Sequence, residues 1–347
     1  MRGRACPTFE INGPFANKRY RRRGAQSWVV AAALTAMVAH PTLATADEGG
    51  VSFWLPGLFG SFAAVPGAPG WAVTFIYIHP SVSATGGKTF QLGTNFVAGV
   101  EGRGDLVSFG PTYTLATPVL GGQASLSLFG VGGRNSASVS ATLTGPQGNE
   151  ISGTRTQSLT SLGDLLPQVS LKWNRGVNNY MVYAMGDIPV GDYNSARLAN
   201  LGLGHGAFDA GGGCTYLNPA TGLEFSAVLG FTYNFENPST QYQNGIDAHL
   251  DWGASYFLNK QVNAGVVGYF YQQLTDDSGP GAKLGGFKSR DAGIGPQMNF
   301  FFPVEDWIQG YANVKVYREF AAENRPSGWN AWLTLSFSAA PEKHSGT

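Results

Sequence analysis

The chain is short of charge and of long apolar runs. Charged residues make up only 13% of its 347 positions, against a share of about 25% in ordinary soluble domains. Lys+Arg and Asp+Glu each number 22, so the basic excess that binds nucleic acid is missing and we predict no such partner. After residue 71 no apolar run reaches eighteen residues, which argues against a membrane-spanning helix there.

Cysteine is nearly absent as well. The two cysteines are Cys6 and Cys214, and Cys6 lies in a segment that we expect to be removed. One remaining thiol forms no internal disulfide, and the sequence has no C-x-x-C pair. We therefore predict no disulfide, no metal site and no cofactor.

The N-terminus has the three parts of an export signal. Residues 18–23 form a basic region, residues 28–39 are mostly apolar, and Ala-Thr-Ala at 44–46 supplies a small-x-small cleavage site before Asp47. The apolar stretch is too short to cross a bilayer core of about 30 Å. We predict that residues 1–46 are a signal peptide. Its removal takes away seven basic residues and one acid, which leaves 15 basic and 21 acidic residues and a net charge of −6.

What the mature chain does contain is glycine, aromatic residues and alternation with a period of two. At 246–252, Ile, Ala, Leu and Trp alternate with Asp247, His249 and Asp251, as in a strand with one apolar and one polar face. Several such segments exceed the roughly 9–11 residues that cross a bilayer at a tilt, and aromatic residues gather near their ends. The clearest long segments are 223–235, 246–258, 262–274 and 290–302.

The connections favour an outer-membrane barrel because short and long ones alternate. The short turns are 174–178, 218–222, 259–261 and 303–306, and the longer loops are 189–206, 236–245, 275–288 and 321–328. This pattern gives nine strands from Leu165 onward, and five more are predicted at 71–79, 89–99, 106–116, 123–132 and 136–144. The prediction is an all-β transmembrane antiparallel barrel of about 14 strands over residues 71–337. If the fourth and fifth strands form a hairpin outside the wall, the count is 12.

The last strand and the residues after it complete the domain plan. Trp329, Ala331, Leu333, Leu335 and Phe337 share one face, which resembles the C-terminal signal of outer-membrane barrels. Residues 338–347 are then a C-terminal tail. The predicted location is the outer membrane of a Gram-negative bacterium, with outer-membrane lipid as a partner.

Six segments carry a family resemblance. They are residues 49–57 (GGVSFWLPG), 230–237 (GFTYNFEN), 243–247 (QNGID), 249–252 (HLDW), 293–297 (GIGPQ) and 323–330 (ENRPSGWN). Together they resemble the outer-membrane family named for the meta-pathway of phenol degradation, also called the SphA-like transporters. The resemblance spans essentially the whole mature chain. It implies a barrel that helps hydrophobic or aromatic compounds cross the outer membrane, and it transfers no catalytic residue.

Residues 47–70 precede the first strand and are rich in aromatic side chains. We hypothesise that this segment folds into the lumen as a plug, where Phe53, Trp54, Phe59 and Phe62 help to line an apolar ligand pocket. The alternative is that the segment lies along the periplasmic rim as an interface anchor.

The polar row Asp247, His249 and Asp251 should face the lumen. A functional interpretation makes His249 a proton-switchable or ligand-contacting group between carboxylates. The alternative is a solvated lumen wall that binds nothing in particular, as in many barrels of this kind.

Three functions remain open at the level of sequence. The first is passive uptake of small hydrophobic or aromatic compounds of the phenol type, and with it we predict no enzyme activity. The second is an outer-membrane lipid hydrolase, which requires a serine, a histidine and a carboxylate close together; His249 is its best histidine. The third is a structural barrel without transport.

Overall fold

The structure is a computed structural model that describes residues 52–92, 95–144, 150–286 and 288–340. The predicted signal peptide (residues 1–46) and the tail from residue 341 lie outside these ranges. The described part contains twelve strands in one closed antiparallel barrel, which confirms the predicted all-β barrel. The strands are β1 (Gly70–Leu92), β2 (Asn95–Thr114), β3 (Gln123–Thr144), β4 (Glu150–Arg175), β5 (Asn178–Asp187), β6 (Ala207–Asn218), β7 (Leu223–Asn234), β8 (Asp247–Phe257), β9 (Val262–Gln273), β10 (Arg290–Glu305), β11 (Ile308–Glu323) and β12 (Ser327–Ala339).

The barrel closes because its first and last strands pair. Each strand bonds to its neighbours in the sequence, and β1 bonds to β12 in a register that runs from Ala72 opposite Ser338 to Ser83 opposite Ser327. Closure satisfies the backbone of both edge strands, which is the only strand arrangement that a bilayer core tolerates. Among the described residues, no helix is long and apolar enough to cross a membrane.

Alternation along each strand separates an apolar outer face from a lumen that is partly polar. On β7, Phe225, Leu229 and Phe231 point outward and are 44–48% exposed, whereas Glu224 and Ser226 point inward and are buried. Large exposed apolar side chains recur on the outer face of nearly every strand. This surface has the composition that faces lipid in membrane barrels.

The count of about 14 strands is corrected to twelve, the alternative count, because the first five predicted strands are three long ones. The segments 123–132 and 136–144 are one strand, β3, which continues through glycines at 132 and 133 with a register shift beside β4. The segment 89–99 is divided between the end of β1 and the start of β2. Glycine and serine at 130–138 resemble a turn in sequence, but pairing with both neighbours keeps this segment extended.

The turns on the side of the chain termini are short, as predicted. Gly176 and Gly222 occupy left-handed conformations in two of them, with φ of 68° and 74°, a conformation that glycine adopts without strain. The predicted long loop at 321–328 is wrong, since only residues 324–326 connect β11 to β12. The barrel also ends two residues later than predicted, because Ala339 still pairs with Ile308.

The strands differ greatly in length. Strands β1 to β4 have 20–26 residues, whereas β5 to β9 have 10–12. The loop 188–206 after β5 packs against the inner face of the longer strands, where Leu198 and Ala199 contact Val100, Ala137 and Val139. The barrel wall is therefore taller along β1 to β4, and the loop 188–206 packs against this taller part.

Candidate functional site

The segment 52–69, which precedes β1, lies against inward-facing side chains of several strands. The backbone NH of Ala64 donates to Thr215 Oγ1 on β6 at 3.1 Å, and that of Phe62 donates to Glu224 Oε1 on β7 at 3.0 Å. From the other side, Lys315 on β11 donates to a carbonyl of the segment. Partners on β6, β7 and β11 surround the segment, so these residues lie within the barrel.

Two buried charges hold the backbone at residues 57–59. Asp251 on β8 accepts hydrogen bonds from the NH groups of Gly57 at 2.9 Å and Phe59 at 3.2 Å. Lys315 donates to the carbonyl oxygens of the same two residues. Gly57 has a φ of 90°, and a Cβ there would approach Tyr317 Cε2 to 2.8 Å. The segment is thus fastened at one turn by a carboxylate, an ammonium group and a glycine that fits against a tyrosine.

Trp54 is the most buried aromatic side chain of the segment and stacks on His249. The two rings lie with centroids 3.6 Å apart and planes at 12°. His249 Nε2 is 2.8 Å from Asp209 Oδ2, which also accepts a hydrogen bond from Thr232 at 2.6 Å. The Asp209 carboxyl group thus contacts both the imidazole and the Thr232 hydroxyl. Gly230 on the neighbouring strand leaves the space that the imidazole occupies.

Two polar atoms of the stacked pair are left without hydrogen bonds. Trp54 Nε1 and His249 Nδ1 are buried, and neither has a partner among the described residues. No serine hydroxyl bonds to this imidazole within the described ranges, so the serine–histidine contact of a hydrolase is not formed here. Buried polar atoms are usually hydrogen-bonded, and an unpaired one calls for a reason.

Aromatic and thioether side chains surround the stacked pair. Phe59 lies with its ring centroid 5.4 Å from that of Trp54 and 5.0 Å from that of Tyr183. Phe53 is buried in the same cluster, which also contains Met181, Met185, Ala207 and Val228. Flat rings and flexible methionines form an adaptable apolar surface. We call this group the aromatic cluster.

Phe62 lies apart from the other three predicted aromatic residues. Its ring contacts Phe257 at 5.8 Å and Phe301 at 5.5 Å, near the short turns, and its φ is 65°. The four predicted residues therefore divide into three in the aromatic cluster and one near the end of the barrel that carries the chain termini.

The predicted polar row also divides by partner. Asp247 accepts hydrogen bonds from Tyr271 Oη at 2.8 Å and Asn234 Nδ2 at 2.9 Å, both from neighbouring strands. His249 contacts Trp54, and Asp251 contacts the backbone at 57–59. Two of the three residues thus touch the N-terminal segment, while Asp247 belongs to the wall.

A second apolar cluster also packs against the segment. Leu55 and Leu58 pack against Ile76, Ile78 and Leu106 on β1 and β2, and the cluster also contains Val267, Tyr269, Tyr317 and Trp332. The segment therefore contacts β1 and β2 through its leucines, while its hydrogen-bond partners lie on β6, β7, β8 and β11.

Sequence reasoning missed several residues of this site. Lys315, Glu224 and Asp209 each bond to the segment or to His249. Lys315 alternates with the apolar residues Val314 and Val316, which indicates a polar face, but nothing local in the sequence indicates its partner across the lumen. Within the described ranges, no three potential metal ligands come together.

A model of the family described as "MetA-pathway of phenol degradation" matches residues 76–335. The chain belongs to this family. The match begins within β1 and ends within β12, so the family is defined by the whole barrel, and the segment 52–69 lies before the matched region. Among proteins of curated function, no sequence matches the chain.

Solved structures support the same fold. An outer-membrane channel from Pseudomonas putida F1 superposes with a TM-score of 0.60 at 13% identity, over 78% of this chain and 95% of that one. A FadL homologue from Pseudomonas aeruginosa (9% identity, 78% and 88% coverage) and the CymD monoaromatic hydrocarbon channel (8% identity, 80% and 90% coverage) both have TM-scores of 0.37. The similarity to the Pseudomonas putida channel shows that the chain shares the fold of that outer-membrane channel. The other two superpositions are too weak to support an argument about the fold.

Proposed function

We propose that the protein is an outer-membrane channel for passive uptake of small hydrophobic or aromatic compounds of the phenol type. The observation that carries the proposal is the aromatic cluster, which lies inside a barrel with an apolar outer face. Membership of a family named for phenol degradation and the fold shared with a bacterial outer-membrane channel support it. Aromatic rings and methionines bind flat apolar solutes without requiring charge.

In this proposal, residues 52–69 act as a plug. Lysine and aspartate hold the backbone at 57–59, and the Trp54–His249 stack holds the start of the segment. Far fewer hydrogen bonds hold the segment than join the strands of the wall, so displacement of the segment costs less free energy than opening of the wall. A solute that enters the aromatic cluster competes with Phe53 and Phe59 for the surface beside the Trp54–His249 stack, and Phe62 then lines the exit toward the periplasm.

The unpaired atoms of the stacked pair fit the hydroxyl group of a phenol. Trp54 Nε1 is a donor, and His249 Nδ1 is an acceptor when Nε2 carries the ring proton. A phenolic hydroxyl both accepts and donates, whereas the methyl group of toluene does neither. The site therefore favours phenol over toluene, because an apolar ligand leaves both buried polar atoms unpaired.

Uptake by intact cells tests this function. Cells that lack the protein should take up phenol and toluene at limiting concentration more slowly than cells that carry it, while glycerol uptake stays unchanged. His249→Leu should lower the ratio of phenol uptake to toluene uptake. A general loosening of the plug would change the uptake of both compounds and leave this ratio unchanged. Equal uptake of both aromatic compounds with and without the protein would contradict transport, and an unchanged ratio in the variant would contradict hydroxyl recognition.

The plug is tested separately by conductance. Deletion of residues 53–62 should raise the single-channel conductance of the purified protein in planar bilayers. The same conductance in the deletion variant and the intact protein would remove the plug from the proposal and leave the barrel as a channel of another design.

A further inference from the structure

A groove of about 240 Å³ lies on the outside of the barrel, where the closing strands β1 and β12 meet β2 and β11. Arg103 and Arg318 enter it from β2 and β11, and Trp329 forms part of its wall on β12. Three serine hydroxyls from β1 and β12 and one carboxylate, Glu101, complete its polar lining. The volume is below the roughly 300 Å³ at which pockets for whole drug-sized ligands begin, so the groove suits a headgroup fragment.

The groove lies on the outer face of the wall. On β11 the exposed side chains are Val314, Val316 and Phe320, and Arg318 shares their face. On β2 the exposed residues Val107 and Phe109 share a face with Arg103. The groove therefore opens to the membrane side of the barrel and has no part in the lumen.

Its height along the wall coincides with a membrane interface. Trp71, 65% exposed, marks one end of the outer aromatic surface, and Trp329 marks the other, opposite Ser81 in the strand register. Ten residues of strand are about 33 Å long, or about 25 Å along the barrel axis at a tilt of about 40°, which is the usual height of the apolar band. Trp329 thus lies at headgroup level, on the side away from the chain termini.

The neighbouring side chains fit this position. His79 lies beside Trp329, with ring centroids 5.2 Å apart, and Asp105 accepts hydrogen bonds from Tyr77 at 2.6 Å and from His79 at 2.8 Å. Asp105 is therefore engaged with aromatic side chains. Among the described residues, no carboxylate forms an ion pair with Arg103 or Arg318.

We infer that this groove binds the phosphate of a lipid headgroup in the outer leaflet. Two guanidinium groups present forks of N–H donors that match phosphate oxygens, and serine hydroxyls supply further donors. The indole ring of Trp329 packs on the apolar side of a headgroup, as tryptophan does at membrane interfaces. Glu101 accepts hydrogen bonds from sugar hydroxyls or an amine beside the phosphate. The inference depends on the outer-membrane location and not on transport, because the groove is outside the lumen.

Native mass spectrometry of the purified protein in detergent tests the inference. Wild-type protein mixed with a bis-phosphorylated lipid A should retain the lipid. The double variant Arg103→Gln/Arg318→Gln should retain at least tenfold less, and Arg318→Lys should fall between them because it keeps the charge but loses the fork. The matched control is Arg175→Gln/Lys260→Gln, which removes two exposed charges at short turns on the opposite side of the barrel and should bind like wild type.

Three results would overturn the inference: equal retention by wild type and the double variant, equal retention of dephosphorylated lipid A, or displacement of the lipid by millimolar inorganic phosphate. The last result would mean a site for free phosphate. Heat-modified migration in gels, which reports a closed barrel, confirms that each variant is folded. Phenol uptake by cells with the double variant should match wild type, so failure of lipid binding and failure of transport are distinguishable.

Discussion

Trp54 lies flat on the imidazole of His249, with ring centroids 3.6 Å apart, although 194 residues lie between them in the sequence. The same imidazole is bonded through its other side to Asp209 on β6. The stack therefore joins the N-terminal segment to two strands of the wall. It is the contact on which the plug and the recognition of a phenolic hydroxyl both depend.

Trp54→Ala should loosen the plug. Truncation of a buried tryptophan costs about 3–5 kcal/mol, and this loss falls on the closed position of the segment rather than on the wall. We expect the fraction of open channels to rise by at least about tenfold, seen as more frequent openings in planar bilayers. Trp71→Ala, at an outward-facing position that is mostly exposed, is the control and should gate like wild type. If both variants behave alike, the stack does not hold the segment.

Asp251→Asn should free the backbone at residues 57–59. The carboxylate accepts two hydrogen bonds from that segment, and an amide in its place has one oxygen acceptor and a group that cannot accept. A hydrogen bond to a charged group contributes about 1.5–3 kcal/mol, so exchange of the Gly57 and Phe59 amides should be faster by about ten- to a hundredfold. Hydrogen exchange with mass spectrometry of the peptide that covers these residues gives the measurement. Asp276→Asn, at an exposed loop carboxylate, should leave the exchange unchanged, and an equal effect of both variants would contradict this anchoring.

Gly230→Ala should destabilise the barrel locally. A Cβ at this position would collide with Tyr183 Oη and with the His249 ring, so the rings must shift. Such overpacking costs about 1–3 kcal/mol, which unfolding in urea within detergent micelles would measure. Gly153→Ala is the matched control, since a Cβ at 153 meets no heavy atom within 4 Å. Unchanged stability in Gly230→Ala would mean that the His249 site is looser than its packing indicates.

The loop 188–206 should loosen in acid. The Arg197 guanidinium beside Asp192 lowers the pKa of that carboxyl, and a hydrogen bond from Ser161 lowers it further. A pKa that is lower in the folded loop means that the ion pair stabilises the loop above the ordinary aspartate pKa of about 3.9. That stabilisation is lost as the pH falls through the lowered value. Protection of the Leu201 and Gly202 amides, which donate to the Asp192 carbonyl, should therefore decline at low pH. Asp192→Asn should remove this pH dependence, and an identical decline in the variant would rule out the pair as its cause.

The strands were predictable because alternation is a local property. The face that carries Asp247, His249 and Asp251 follows from a period of two, and the structure buries all three side chains. The number of strands was less predictable, because the glycines near residue 132 interrupt the pattern although β3 continues through them. The site was least predictable. Contacts such as Lys315 to the Gly57 carbonyl join residues that are distant in sequence. Alternation indicates which face of a strand a side chain lies on, but it does not indicate which residue that side chain contacts.

The unequal strand lengths give the rim of the barrel an uneven height. Strands β1 to β4 are about ten residues longer than β5 to β9, which is roughly 30 Å along the strand direction. On the cell surface, an antibody or a bacteriophage would meet this high side first. The lower side, which carries the loop 188–206, is then shielded from large particles, while small solutes still reach it. Peptide tags for surface labelling therefore belong on the high side.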